Sequence, residues 1–143
     1  VIAGNKAAVE KASEVLKAKG ARKVMSLPVS VPSHCDLMKP AAEKLALELN
    51  SVKFNPAKIP LIQNVNGEIA SDIHAIKEGL VKQLYSPVLW TKSVATLAQN
   101  DVMTIVECGP GKVLSGLNKR IHESAKLFNL NSAESMTALQ ASL

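Results

Sequence analysis

Apolar residues recur along this chain with two periods, and the switching between them predicts its elements. Ala8, Ala12, Val15 and Leu16 fall on one side of a helix over 5–19, with Asn5 as its cap and Gly20 as its stop. The stretch 22–30, containing V-M-S-L-P-V-S, reads as a strand. Pro28 confines its later half to an edge or an exit. Over 37–49, Leu37, Met38, Ala41, Ala42, Leu45 and Leu49 repeat at three and four, so a second amphipathic helix is expected, with Ser33 as a cap near its start. P-L-I-Q-N-V-N-G, 60–67, reads as a short buried strand and a turn at Asn66-Gly67. Ile73, Ile76, Leu80 and Leu84 align on a helix over 72–84, and Pro87 opens another through Trp90, Val94 and Leu97. T-I-V-E, 104–107, is a strand running into C-G-P-G-K. A helix over 113–122, a short strand over 126–130 and a helix over 133–143 complete the pattern.

Strands alternating with helices indicate an α/β layered domain with a mostly parallel sheet. Ligand chemistry in such sheets collects at the carboxyl ends of strands. Two loops occupy that place: V-P-S-H-C-D-L-M, which holds His34, and C-G-P-G-K after Glu107.

Composition narrows the partners. Aromatics make up 3% of the chain, too few for base-stacking surfaces, so nucleic acid is not expected. The net charge of +5 favours an acidic protein or a phosphorylated small molecule, because the lysines are scattered along helices and not blocked. No apolar run reaches the ~18 residues of a membrane span. Cys35 and Cys108 have no metal or C-x-x-C spacing and fit reduced thiols, which points to a cytoplasmic protein. The chain opens on V-I-A-G without Met, like the end of a strand begun elsewhere, so a fragment of a longer protein is expected.

C-G-P-G-K invites a phosphate-loop reading. A Walker loop needs Gly where Val106 stands and Ser or Thr where Val113 stands. A dinucleotide fingerprint needs its third glycine elsewhere. A tight strand-to-helix turn is the simpler reading. The three histidines are too far apart for a metal site. His74 lies among polar neighbours on a helix. His122 falls near a helix C-terminus, where a cationic imidazole is favoured. His34 differs, because a loop before a helix can hold one polar group in place. Cys35 and Ser33 are poor nucleophiles for it, since adjacent side chains diverge. Asp36 reads as a charge in the first helical turn.

The run S-L-P-V-S-V-P-S-H-C-D-L-M-K-P-A-A resembles the histidine segment of malonyl-CoA:acyl carrier protein transacylases. Q-N-V-N-G, L-V-K-Q-L-Y-S-P-V-L-W-T-K-S-V and E-C-G-P-G-K-V-L-S-G-L-N-K-R-I follow in the family's order. The resemblance covers essentially the whole chain and is to the stand-alone enzyme of bacterial type II fatty acid biosynthesis. It implies the C-terminal part of an α/β-hydrolase-like acyltransferase core over 31–143. Residues 1–30 would be the remnant of a ferredoxin-like small subdomain. In this family a serine in a G-x-S-x-G elbow attacks malonyl-CoA. A histidine takes its proton, then activates the phosphopantetheine thiol of acyl carrier protein, so that malonyl passes by ping-pong transfer. His34 matches the general base. Gln83 matches the residue whose backbone carbonyl orients it. Lys119 and Arg120 match basic positions near the active-site entrance that would dock the acidic carrier. No bound cofactor and no metal are implied.

The departure from the family is large. No G-x-S-x-G occurs in these 143 residues, and the G-Q-G-S-Q stretch and the malonyl-binding arginine are also absent. The nucleophile would therefore lie in a missing N-terminal half, and this chain alone would be inactive. Two rivals remain: a noncatalytic module that binds a carrier protein or a nucleotide, and an acyl thioester hydrolase using the same dyad with water as acceptor.

Overall fold

The computed structural model describes residues 1–142. It is α/β and falls into two compact units, Val1–Val88 and Leu89–Leu143.

The first unit begins with α1, Lys6–Ala18. The Asn5 side chain accepts a hydrogen bond from the Ala7 N–H at 3.1 Å, satisfying one of the free donors of the first turn. At the other end Gly20 adopts φ 88°, a left-handed conformation that glycine takes without a Cβ penalty. Its N–H reaches the Lys17 carbonyl and that of Ala21 reaches Leu16, so the last carbonyls of α1 are satisfied by a Schellman turn.

A short 3₁₀ turn, Asp36–Met38, leads into α2, Lys39–Ser51. The expected helix over 37–49 thus starts tighter and later. Pro40 sits in its first turn, Met38 is its N-cap, and no side chain caps it, so Ser33 does not take that role. Helix α3, Ile73–Lys82, packs on α2, and Ile76 of α3 and Ala42 of α2 are both buried. Lys77 ties the pair together: its Nζ donates to the Leu49 carbonyl at 2.5 Å, a terminal acceptor of α2, and lies 4.9 Å from the Phe54 ring centroid.

The expected strand over 22–30 does not form. Met25, Leu27, Val29 and Val31 keep the period of two that marks a strand, yet all four are exposed. A strand needs a neighbour to complete its ladder. Here the backbone closes only on itself, with Val29 N–H bonding Leu27 and Ser33 N–H bonding Val31. The strand expected over 60–67 shrinks to one antiparallel bridge, Ile62 with Ile69.

The second unit holds helix α4 (Trp90–Gln99), strand β1 (Thr104–Cys108), helix α5 (Val113–Ile121), strand β2 (Lys126–Leu130) and helix α6 (Ala133–Gln140). β1 and β2 are parallel, with Ile105 opposite Leu127 and Glu107 opposite Asn129. A parallel pair requires a crossover, and α5 supplies it. The Trp90 indole N–H donates to the buried Asn118 side-chain carbonyl at 2.9 Å, joining α4 to α5.

Burial is sparse. Among the described residues, the buried apolar ones are Ala42, Ile76, Val94 and Leu139. The accessible surface is 10606 Å². A folded protein of this mass exposes about 7,100 Å², and two separate bodies of these sizes about 8,500 Å². Large apolar side chains are among the exposed residues, including Leu47, Ile59 and Val113, each more than 70% exposed. A side chain of this kind contributes about 1.5–3 kcal/mol when fully buried. Among the described residues, no helix is long and apolar enough to cross a membrane.

Candidate active site

His34 has φ 65°, a left-handed conformation that histidine tolerates better than most side chains but that still costs roughly 1–3 kcal/mol. Its backbone N–H holds it there by donating to the Leu84 carbonyl at 2.8 Å. The ring is thereby turned toward the chain leaving α3. Nδ1 lies 2.8 Å from the Gln83 carbonyl and 3.2 Å from the Ser86 carbonyl.

These acceptors exist because α3 ends there. The last carbonyls of a helix have no partner within it. Leu84 and Tyr85 continue as tight turns, bonding Val81 and Lys82, and Pro87 follows without an N–H. The chain therefore turns and presents the Gln83, Leu84 and Ser86 carbonyls toward one residue. Carbonyls only accept, so in the neutral ring the proton sits on Nδ1 and Nε2 carries the lone pair. The His34 residue is exposed. Chemically, this is an oriented base open to a reactant.

The structure thus brings His34 and Gln83 together across 49 residues of sequence. The carbonyls of Leu84 and Ser86 were not anticipated. Their signal was S-P at 86–87, read only as a helix opening. The neighbours are otherwise engaged. The Cys35 thiol donates to the Pro32 carbonyl at 3.1 Å, and Asp36 pairs with Lys39 at 3.1 Å. His74 is exposed on α3. A cavity of about 660 Å³ lies between the 56–61 loop and residues 69–76. Its one carboxylate, Asp72, is taken up as the α3 cap, with the Ala75 N–H at 2.8 Å holding its pKa below the usual value.

The C-G-P-G-K turn lies in the other unit, between β1 and α5. Gly109 adopts φ 155° there, which lets the chain double back. The Glu107 carboxylate then reaches forward to the N-terminus of α5. It accepts the Ser115 hydroxyl at 2.6 Å, the Ser115 N–H at 2.7 Å and the Leu114 N–H at 3.1 Å. These bonds, the Ser115 hydroxyl foremost, lower the pKa of Glu107. Asn129, its neighbour across the sheet, donates to the Gly111 carbonyl. The helix N-terminus that would bind a phosphate already holds a carboxylate, so this is a structural turn. Lys119 and Arg120 are exposed in the last turn of α5, and neither joins an ion pair among the described residues. His122 follows as the α5 C-cap, with Nε2 3.2 Å from the Val102 carbonyl. Among the described residues, no three His, Cys, Asp or Glu side chains gather as they would around a metal ion.

The malonyl CoA-acyl carrier protein transacylase of Escherichia coli K12 is 51% identical over 138 residues, which are 96% of this chain and 45% of that protein. This chain is a homologue of the malonyl CoA-acyl carrier protein transacylases. It spans about 45% of the length of the curated transacylases it matches. The crystal structure of the transacylase from Xanthomonas oryzae pv. oryzae aligns with a TM-score of 0.93 at 41% identity, over 97% of this chain and 44% of that one. A malonyl-transacylase solved in complex with its type II PKS acyl-carrier protein aligns with a TM-score of 0.91 at 45% identity, over 96% of this chain and 45% of that one. No family model matches the chain. Over the shared span, the transacylase fold is therefore the fold of this chain.

Proposed function

We propose that this chain supplies the histidine half of a serine–histidine acyltransferase, which moves malonyl from malonyl-CoA to the phosphopantetheine thiol of acyl carrier protein in fatty acid biosynthesis. The observation that carries the reading is the His34 ring, with Nδ1 directed at the Gln83 and Ser86 carbonyls and Nε2 left as acceptor. Residues 31–143 are assigned to the acyltransferase core and 1–30 to the small subdomain on the resemblance of their motifs.

The serine comes from the part of the enzyme that these residues do not contain. Its Oγ attacks the malonyl thioester carbonyl while His34 Nε2 takes the hydroxyl proton. The tetrahedral intermediate collapses, the C–S bond breaks, and the departing coenzyme A sulfur takes that proton from the imidazolium. The carrier thiol then gives its proton to Nε2 and attacks the malonyl-serine ester. Collapse of the second intermediate leaves malonyl on the carrier, and the proton returns to serine. Throughout, the Gln83 and Ser86 carbonyls keep the Nδ1 proton in place, a role that needs no carboxylate. Lys119 and Arg120 offer cationic docking to an acidic carrier, and the complex of a related transacylase with its acyl-carrier protein supports that partner class.

The test is product identity. The chain completed with its missing half is given radiolabelled malonyl-CoA and phosphopantetheinylated carrier protein. Malonyl-carrier is the expected product. Free malonate in its place would make the protein a thioester hydrolase, and no acyl turnover at all would make it a noncatalytic binding module.

A further inference from the structure

We propose that Gln63 is a positioning residue for the His34 ring, acting through Gly79 of α3. The Gln63 carboxamide lies against α3, where its Nε2 donates to the Ala75 carbonyl at 2.8 Å. Its Oε1 fills the space that a Cβ at position 79 would need, so only glycine at that position leaves room for it. The backbone of Gln63 is itself fixed, its N–H bonded to Glu68 at 3.0 Å and its carbonyl to the Gly67 N–H at 2.7 Å. The amide therefore reaches α3 from a rigid base. One helical turn further on, the Gly79 carbonyl accepts the Gln83 N–H at 2.9 Å. Gln83 in turn presents its carbonyl to His34 Nδ1 at 2.8 Å. Gln63 thus braces the turn of α3 whose end orients the imidazole. A small displacement there moves the carbonyls away from the ring, and catalytic geometry is sensitive to shifts of about 1 Å.

Adding a methyl at position 79 evicts the end of a flexible side chain, so Gly79→Ala and Gln63→Ala break the same contact. Effects that break one contact do not add. This inference rests on His34 being the base, and the experiment separates the two claims. The 143-residue chain is labelled with ¹⁵N-histidine, completed with its unlabelled other half, and studied as Gln63→Ala, Gly79→Ala and the double variant. Each single variant is expected to lower kcat about threefold to tenfold with KM for the thioester little changed, and to shift the His34 ring from one Nδ1–H tautomer to a mixture. The double variant is expected to be no worse than either single one. Additive losses, or a lowered Tm with unaltered His34 nitrogen signals and kcat, would overturn the inference. If Gly79→Ala does not fold, Gln63→Ala carries the kcat and tautomer readouts alone. If His34→Ala leaves transfer intact while the tautomer still responds to Gln63→Ala, the base assignment fails and the bracing stands.

Discussion

Two loops of this chain were candidates for its chemistry, C-G-P-G-K after β1 and the P-S-H-C loop after a segment that forms no strand, and they are built in opposite ways. C-G-P-G-K uses up its own polar groups. Glu107 fills the α5 N-terminus with three hydrogen bonds, and Asn129 takes the Gly111 carbonyl. The P-S-H-C loop spends three carbonyls of another segment on one residue and leaves one ring nitrogen as acceptor. Position in the topology therefore does not make a site. A site needs a polar group that is held on one side and unspent on the other.

The contrast can be broken or sharpened by substitution. The largest effect belongs to His34→Ala: in the completed enzyme it should cut kcat by about 10²–10⁴ with little change in Tm, read by steady-state malonyl transfer and thermal unfolding. A rate near that of the unchanged enzyme would remove the base assignment. Charge reversal, Lys119→Glu with Arg120→Glu, should reduce kcat/KM for the carrier about tenfold and for malonyl-CoA much less. Equal losses for both substrates would count against a docking surface. Glu107→Gln should lower Tm by a few degrees and spare kcat, the reverse of His34→Ala. Because the folded state depresses the Glu107 pKa, its stabilisation is complete above the unfolded carboxylate value of about 4.3 and is lost as pH falls through the folded one. The Tm gap between the two proteins should accordingly narrow in acid. A constant gap would mean that the carboxylate charge is not what holds the turn.

Legibility followed locality. The helices were readable because Asn5, Gly20 and Asp72 act within one turn of the elements they bound. The strands β1 and β2 were readable because each finds its partner in this chain. The strand expected over 22–30 carried the right alternation and failed for want of a neighbour, which no local pattern encodes. His34 stood out by its setting, and the role proposed for it rests on the extended resemblance of its surroundings. Gln83 came from that same resemblance. Leu84 and Ser86 were missed because they contribute main-chain carbonyls, whose direction depends on the turn after α3 and not on residue type. Glu107 was missed as a cap because it lies outside the helix that it caps, seven and eight residues before its partners Leu114 and Ser115.

The most direct measurement is malonyl transfer by the 143-residue chain alone, by the chain mixed with a polypeptide carrying the rest of a transacylase, and by the same mixture with His34→Ala. The expected result is no turnover alone, turnover on mixing, and its loss with the substitution. Robust turnover by the unmixed chain would contradict it, because the chain would then have to hold a nucleophile of its own.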